Sequence, residues 1–483
     1  MPYLAKLEKA GIPTVVLDFE DQDELLKETA LESGLPNARF LHASRTLPGP
    51  EDVDNIIGNI IEGLTKPLTK KEKEGGRWAP PQPRVLFEGT LDEAQAFYQQ
   101  TREIPLPVNA PLAVYTDGFP IIVPTEERVK EMLAGTSHKP DELITHQSDQ
   151  KLMQRDNSGL FEMIGKKGTP VQFYPRWWTA TVEKVATIAV MAGCKPEHLP
   201  VVLAIAESGC PTSTTNFPSQ AVCLSGPIVK EIRMNTGCGH LGPGSTVNGP
   251  IGRTFQLMAL NLGGAVPGIN RMGCQGSPLN NGGTCYGENI DGLPPGWKGL
   301  NEEYGFKKNQ SVVMVQQIGG GIVGSQFSPG GYRAFQKSGH GGLARRADVK
   351  GTPGPHNWLE YVVPALYASR EGGWTFVMVP EMARHLYDFG FKTKDEVYGW
   401  LYKASFEPLK NYRNRSWVDI RTNGWMGIET ISGKHWKELS DDYMVPVVPG
   451  PFDSCIVVAG GQEEASVQLA GGHGTAYSID AWR

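Results

Sequence analysis

Residues 1–68 alternate helix and strand signals, and the alternation opens on a helix rather than a strand. Pro2 to Ala10 spaces its apolar residues as a short amphipathic helix closed by Gly11. Ile12 to Phe19 is a β-rich apolar run, and Asp21 to Glu32 is a second helix closed by Gly34. Ala38 to Ala43 supplies another strand. Pro50 to Leu64 then carries Val53, Ile56, Ile57, Ile60, Ile61 and Leu64 at helical spacing after a Gly-Pro start. Parallel strands need a crossover between them, so α-β-α-β-α reads as a piece of a parallel sheet. A doubly wound domain opens instead with the strand from which its first helix departs. Three arrangements reconcile the two: the fold dispenses with that strand, another chain supplies it, or it lies upstream of Met1. Supply by another chain is the preferred expectation.

Leu68 to Pro83 is charged, then rich in Gly and Pro, with neither a helical nor a strand period, and reads as a linker. Arg84 to Glu88 and Leu91 to Gln100 suggest one more strand and helix before the Pro-rich stretch Ile104 to Pro111. The division expected is therefore an incomplete Rossmann-like domain over 1–68, a linker with a connecting strand and helix over 69–111, and one large mixed α/β domain over 112–483. Farther along, Trp374 to Val379 reads as a strand, Pro380 to Tyr387 and Lys394 to Ser405 as helices, and Ser454 to Ala459 as a final buried strand.

Composition narrows the partners. The 483 residues hold 46 Lys+Arg against 52 Asp+Glu, a net charge of -6, with no basic block to neutralise a phosphate backbone, so nucleic acid is not an expected partner. Apolar runs such as Leu199 to Ala206 are far shorter than the roughly 20 residues that span a bilayer. Met1 to Lys9 lacks the three-part pattern of a secretory signal, and seven cysteines at low density suit reduced thiols, so a cytoplasmic location is expected. The 58 glycines and 37 prolines mark a loop-rich globular chain.

Several stretches resemble the UGSC family of proteins and selenoproteins, named for a selenocysteine (or cysteine), Gly, Ser, Cys motif. They are DGFPIIVPTEERVKEMLAGT (117–136), ATVEKVATIAVMAGCKPEHLPVVLA (180–204), LGPGSTVNGPIGR (241–253), GENIDGLPPGW (287–297), GPHN (354–357) and IVVAGG (456–461), in the family's order. LEKAGIPTVVL (7–17) is similar to the helix and strand that follow the family's thiol loop. No cysteine precedes Cys194, so that motif is absent here. The resemblance thus implies a small partner subunit that brings both the missing strand and the thiol pair.

Candidate site residues come from four places. Thr214, Thr215 and Asn216 follow the apolar run Leu199 to Ala206 closely, where hydroxyls and amides can orient a small polar ligand; a self-capping turn is the alternative. The Gly-rich stretch Met234 to Arg253 leads into a helix expected over Thr254 to Leu262, so its backbone N–H groups, Arg253 and Asn248 suit a carboxylate or phosphate. A plain Gly-rich connection is the alternative. Cys238 and His240 in that stretch form a possible nucleophile and base, because residues two apart share a face when the chain is extended. Thr179 or Thr181 can cap the helix over Thr179 to Ala192.

Glu288 beside Asn289, and His356 beside Asn357 in the Gly354-Pro355 turn, are the acid–base candidates, both in stretches that match the family. His240, Glu288 and His356 could together hold a metal, although no spacing rule supports one, and His473 between glycines carries no assignment. Neither a GxGxxG nor a phosphate-loop lysine motif is present, and no cofactor is implied. The preferred expectation is a subunit of a heteromeric enzyme acting on a small polar organic substrate, with a partner's thiols taking part. The alternatives are a non-redox lyase or hydratase using His356 and Glu288, and a noncatalytic binding or scaffolding subunit.

Overall fold

The computed structural model describes residues 2–19, 23–43, 50–74, 83–103, 110–149, 165–212, 218–271, 276–319, 322–323, 373–415, 428–429, 431–446, 448, 450–461 and 466–483. It has the helices and mixed sheets of the α/β class.

The amino-terminal elements are α1 (Pro2–Lys9), β1 (Val16–Phe19), α2 (Asp23–Glu32), β2 (Phe40–Ala43) and α3 (Pro50–Thr65). β1 and β2 pair in parallel from Val16↔Phe40 to Phe19↔Ala43. The pairing starts later than the apolar run because Pro13 has no N–H for a ladder, and Ile12 donates back to Leu7 to close α1 instead. Ala5, Ala30 and Leu35 form a small core under this layer. Among the described residues β1 has one strand neighbour, so its other edge is open.

Next come α4 (Leu91–Tyr98), β3 (Thr101–Arg102), β4 (Leu112–Ala113), α5 (Glu126–Leu133), α6 (Val182–Ala192) and α7 (Leu199–Ala206). The strand expected over Arg84 to Glu88 does not form; Val85 and Leu86 are exposed, and among the described residues no neighbouring strand satisfies that backbone. α4 does form, held by a capping box between Thr90 and Glu93, and buries Ala94 and Tyr98 in the large core. Of the two threonines, it is Thr181 that caps α6, accepting from the Lys184 N–H, and Gly193 ends that helix at φ +88. α7 reads LPVVLAIA, is apolar on every side, and is buried on every side.

The remaining elements are β5 (Pro218–Ser225), α8 (Ile228–Glu231), α9 (Asn248–Asn261), β6 (Thr284–Gly287), α10 (Leu300–Glu303), β7 (Val312–Gly319), β8 (Ile322–Val323), β9 (Trp374–Met378), α11 (Pro380–Asp388), α12 (Lys394–Ala404), β10 (Phe406–Pro408), α13 (Leu409–Arg415), β11 (Met444–Pro446), β12 (Cys455–Val458), β13 (Ser466–Ala470) and β14 (Thr475–Ser478). β12 is the strand expected over Ser454 to Ala459, but two more follow it. One four-stranded sheet runs β14-β7-β5-β6 and a second runs β12-β9-β13-β8. Along β5 the period of two sends Val222 and Leu224 into a core with α5, α6, α7 and α9. It sends Ala221 and Cys223 into a second core, with the second sheet and with α11 and α12. β5 and β6 are parallel, as are β9 and β12, so two pairs of carboxyl ends are available to build a site.

Candidate functional site

Both parallel pairs end at one place. Leaving β6, the Glu288 N–H donates to the Leu224 carbonyl (2.8 Å), and the Asn289 N–H donates across to the Val458 carbonyl at the end of β12 (2.7 Å). Leaving β12, the Ala459 N–H donates to Met378 at the end of β9, and the Gly460 N–H donates to the Thr236 carbonyl, both at 2.8 Å. The Gly-rich loop between α8 and α9 therefore lies against the carboxyl ends of these strands, the position where open α/β sheets bind ligands.

Asn248 fixes that loop. Its Oδ1 accepts from the Asn235 N–H (3.0 Å) and the Ser245 hydroxyl (2.7 Å), while its Nδ2 donates to the carbonyls of Asn235 (2.8 Å) and His240 (3.2 Å). Every donor and acceptor of the amide is engaged inside the protein, so Asn248 shapes the loop rather than reaching for a ligand. Cys238 and His240 do not share a face. The His240 N–H donates to the Gly237 carbonyl, which makes the segment a turn, and the turn leaves Cys238 exposed while the His240 ring is buried.

His240 packs with its ring centroid 6.4 Å from that of Tyr286. Its Nδ1 is buried without a hydrogen-bond partner among the described residues, and burial pushes its pKa down to about 4, so the ring is neutral at pH 7. A neutral imidazole at the carboxyl ends of four strands can accept or relay a proton, or offer a lone pair.

Glu288 lies below, in a buried network. Its Oε2 accepts from the Ser225 hydroxyl (2.7 Å) and the Leu300 N–H (2.6 Å), and its Oε1 accepts from Lys394 Nζ (3.0 Å). Lys394 also donates to Glu303 Oε2 (2.9 Å), whose Oε1 accepts from the Tyr398 hydroxyl (2.9 Å). Burial alone would lower the Lys394 pKa, but the carboxylates of Glu288 and Glu303 outweigh it and hold the ammonium above its usual value. Glu288 is thus committed to three partners within the core. Asn289 is committed too, since its Oδ1 accepts from the Gly292 N–H (3.2 Å) and caps a short 3-10 turn. His473 borders the same network, its ring edge-on to Tyr304 and Tyr398 and its Nδ1 2.8 Å from the Phe452 carbonyl.

Arg253 is placed differently from its sequence reading. α9 starts at Asn248, with Pro250 in its first turn where a missing N–H costs nothing, so Arg253 lies inside the helix rather than at its start. Its guanidinium makes a two-pronged pair with Asp117 (2.7 and 2.9 Å) and donates to the Phe119 carbonyl (3.1 Å). That cation is neutralised within the protein, and no external anion is needed to balance it. Thr214, Thr215, Asn216, His356 and Asn357 lie outside the described residues.

Sequence reasoning missed Glu207. It is buried at the end of α7, where its carboxylate accepts from the Gln147 N–H (2.8 Å) and from Trp482 Nε1 (3.0 Å). Burial outweighs both bonds and pushes its pKa up to about 7, so it changes charge near neutral pH. The available signal was a carboxylate directly after eight apolar residues. No protein-family model, curated protein or solved structure matches the chain.

Proposed function

We propose that the chain is one subunit of a heteromeric enzyme acting on a small polar organic molecule, its amino-terminal sheet completed by a smaller partner that carries a reactive thiol pair. One observation carries this reading: among the described residues β1 is an edge strand, and apolar side chains stand exposed around it. Leu17 on β1 is 52% exposed, and Ile57, Ile61 and Leu64 form a row on α3 at i, i+4 and i+7, all more than two-fifths exposed. A parallel strand docked on β1 would pair that edge, and the α1-β1-α2-β2 order leaves room for it where a doubly wound sheet has its first strand. The resemblance of residues 7–17 to the helix and strand that follow the thiol loop of UGSC proteins supports the same reading, because it assigns that loop to the stretch preceding α1.

Acid–base chemistry of the lyase or hydratase kind is the second reading. It is favoured by the neutral His240 at the strand ends, with Glu288 acting through the structure around it rather than on substrate. Native mass spectrometry of the assembly from its natural source separates the two readings. The expected result is a second, shorter chain at fixed stoichiometry, with two alkylatable thiols next to a predicted β-strand. A homogeneous assembly of this chain alone, with β1 protected from hydrogen exchange, overturns the partner.

A further inference from the structure

We infer that Asp18, Asp23 and His42 form a binding site for a divalent transition-metal ion at the carboxyl end of the amino-terminal sheet. The register pairs Asp18 directly with His42 on the parallel strands β1 and β2, so both side chains project on the same side. Asp23, the first residue of α2, joins them from the helix that follows β1. One ligand atom from each residue lies within 4.8 Å of the other two. Two ligands about 2.1 Å from one ion stand at most about 4.2 Å apart, so small side-chain rotations close this cluster on an ion.

The unpaired oxygens point to a cation. The Asp18 side chain is fully buried; its Oδ1 faces His42 Nδ1 at 2.8 Å, and its Oδ2 is buried with no partner among the described residues. Asp23 pairs through Oδ2 with the Lys27 ammonium one turn along α2, while its Oδ1 is likewise buried with no partner among the described residues. A buried carboxylate oxygen left bare carries a desolvation penalty that hydrogen bonds elsewhere do not relieve. An ion between the two carboxylates satisfies both, and it outweighs the unfavourable amino-terminal dipole of α2. His42 is partly exposed, which leaves a solvent side for water ligands. Two hard oxygens with one imidazole suit Mn2+ or Zn2+ better than Mg2+ or Ca2+.

The inference stands on these residues alone and not on the proposed partner. Its test is titration of the full chain, stripped of metal with a chelator, with Mn2+, following the free-ion paramagnetic resonance signal; Mn2+ is chosen because thiols compete poorly for it. The expected result is one Mn2+ per chain, with affinity falling by at least about tenfold, or 1.4 kcal/mol, in Asp18→Asn and in His42→Ala, and unchanged in Cys238→Ser. Asp23→Asn, at a helix start, provides a variant with little risk to the fold, and far-UV circular dichroism checks all of them. No stoichiometric binding by the unaltered chain overturns the site. So does binding that folded Asp18→Asn, Asp23→Asn and His42→Ala variants all retain.

Discussion

Replacing Lys394 by methionine tests whether the buried charges at the strand ends hold the structure together. The side chain is 2% exposed, and it lies between Glu288 at 0% and Glu303 at 11%. Methionine fills most of the same volume but leaves two carboxylates facing one another without a counter-charge. Breaking a buried pair this way costs about 3–5 kcal/mol, because the remaining charge is neither solvated nor paired. Proton linkage sets how that cost depends on pH. With the ammonium gone, a proton on one of the two facing carboxylates relieves their repulsion, and lower pH supplies it. A carboxyl whose folded pKa is raised is penalised above its unfolded pKa, and the penalty fades as pH falls toward that value. The gap between the unaltered protein and Lys394→Met should therefore be about 3–5 kcal/mol at pH 7 and smaller at pH 5, measured as paired urea unfolding curves. Adding Glu288→Gln should restore more than half of the loss at pH 7. A gap below about 1 kcal/mol, or one equal at the two pH values, would refute the argument.

Two further expectations rest on other parts of the same region. His240 titrates near 4 in the fold against 6.5 in the unfolded chain, so the unfolded state takes up a proton first and stability falls as pH drops from 7 to 4, by about 3 kcal/mol. Urea midpoints of His240→Asn measured across that range should show a flatter slope than the unaltered protein, and an unchanged slope would assign the acid sensitivity elsewhere. A Cβ on Gly472 would stand 1.6 Å from the Asp453 carbonyl oxygen, whereas one on Gly461 meets nothing within 4 Å among the described residues. Gly472→Ala should accordingly cost about 3 kcal/mol or more and Gly461→Ala under about 1, as read from thermal unfolding, and equal shifts would contradict the close approach.

Features set by neighbours in sequence were the legible ones. The threonine cap of α6, narrowed to Thr179 or Thr181, the alternation of α1 to α3 and the apolar spacing of α6 all depend on residues within a turn or two. Arg84 to Glu88 misled because β propensity describes a strand only once a partner lies alongside, and Val85 and Leu86 meet none among the described residues. Arg253 and Glu288 take partners that local sequence could not supply. Their chemistry depends on Asp117, 136 residues away, and on Lys394, 106 residues away, and no local spacing rule links such distances. Cys238 and His240 needed only one local fact, whether the loop was extended. Its glycines allowed either conformation, and the turn between Gly237 and His240 decided against a shared face.

The buried triad takes its meaning from where its members begin. Glu288 follows β6 of the first sheet, Glu303 ends α10, and Lys394 opens α12, which packs on the second sheet. A non-directional apolar core lets two sheets slide over one another at small cost, but an ammonium held between two carboxylates at 3.0 and 2.9 Å accepts one alignment. That alignment is also the one in which Asn289 reaches Val458 and Gly460 reaches Thr236, so the same charges that fix the sheets fix the floor on which the His240 loop rests. Glu288 thereby acts on the candidate site as a positioning residue. A Glu288→Gln substitution that disturbs the site should do so together with the stability of the two-sheet packing, because the contacts that set one set the other.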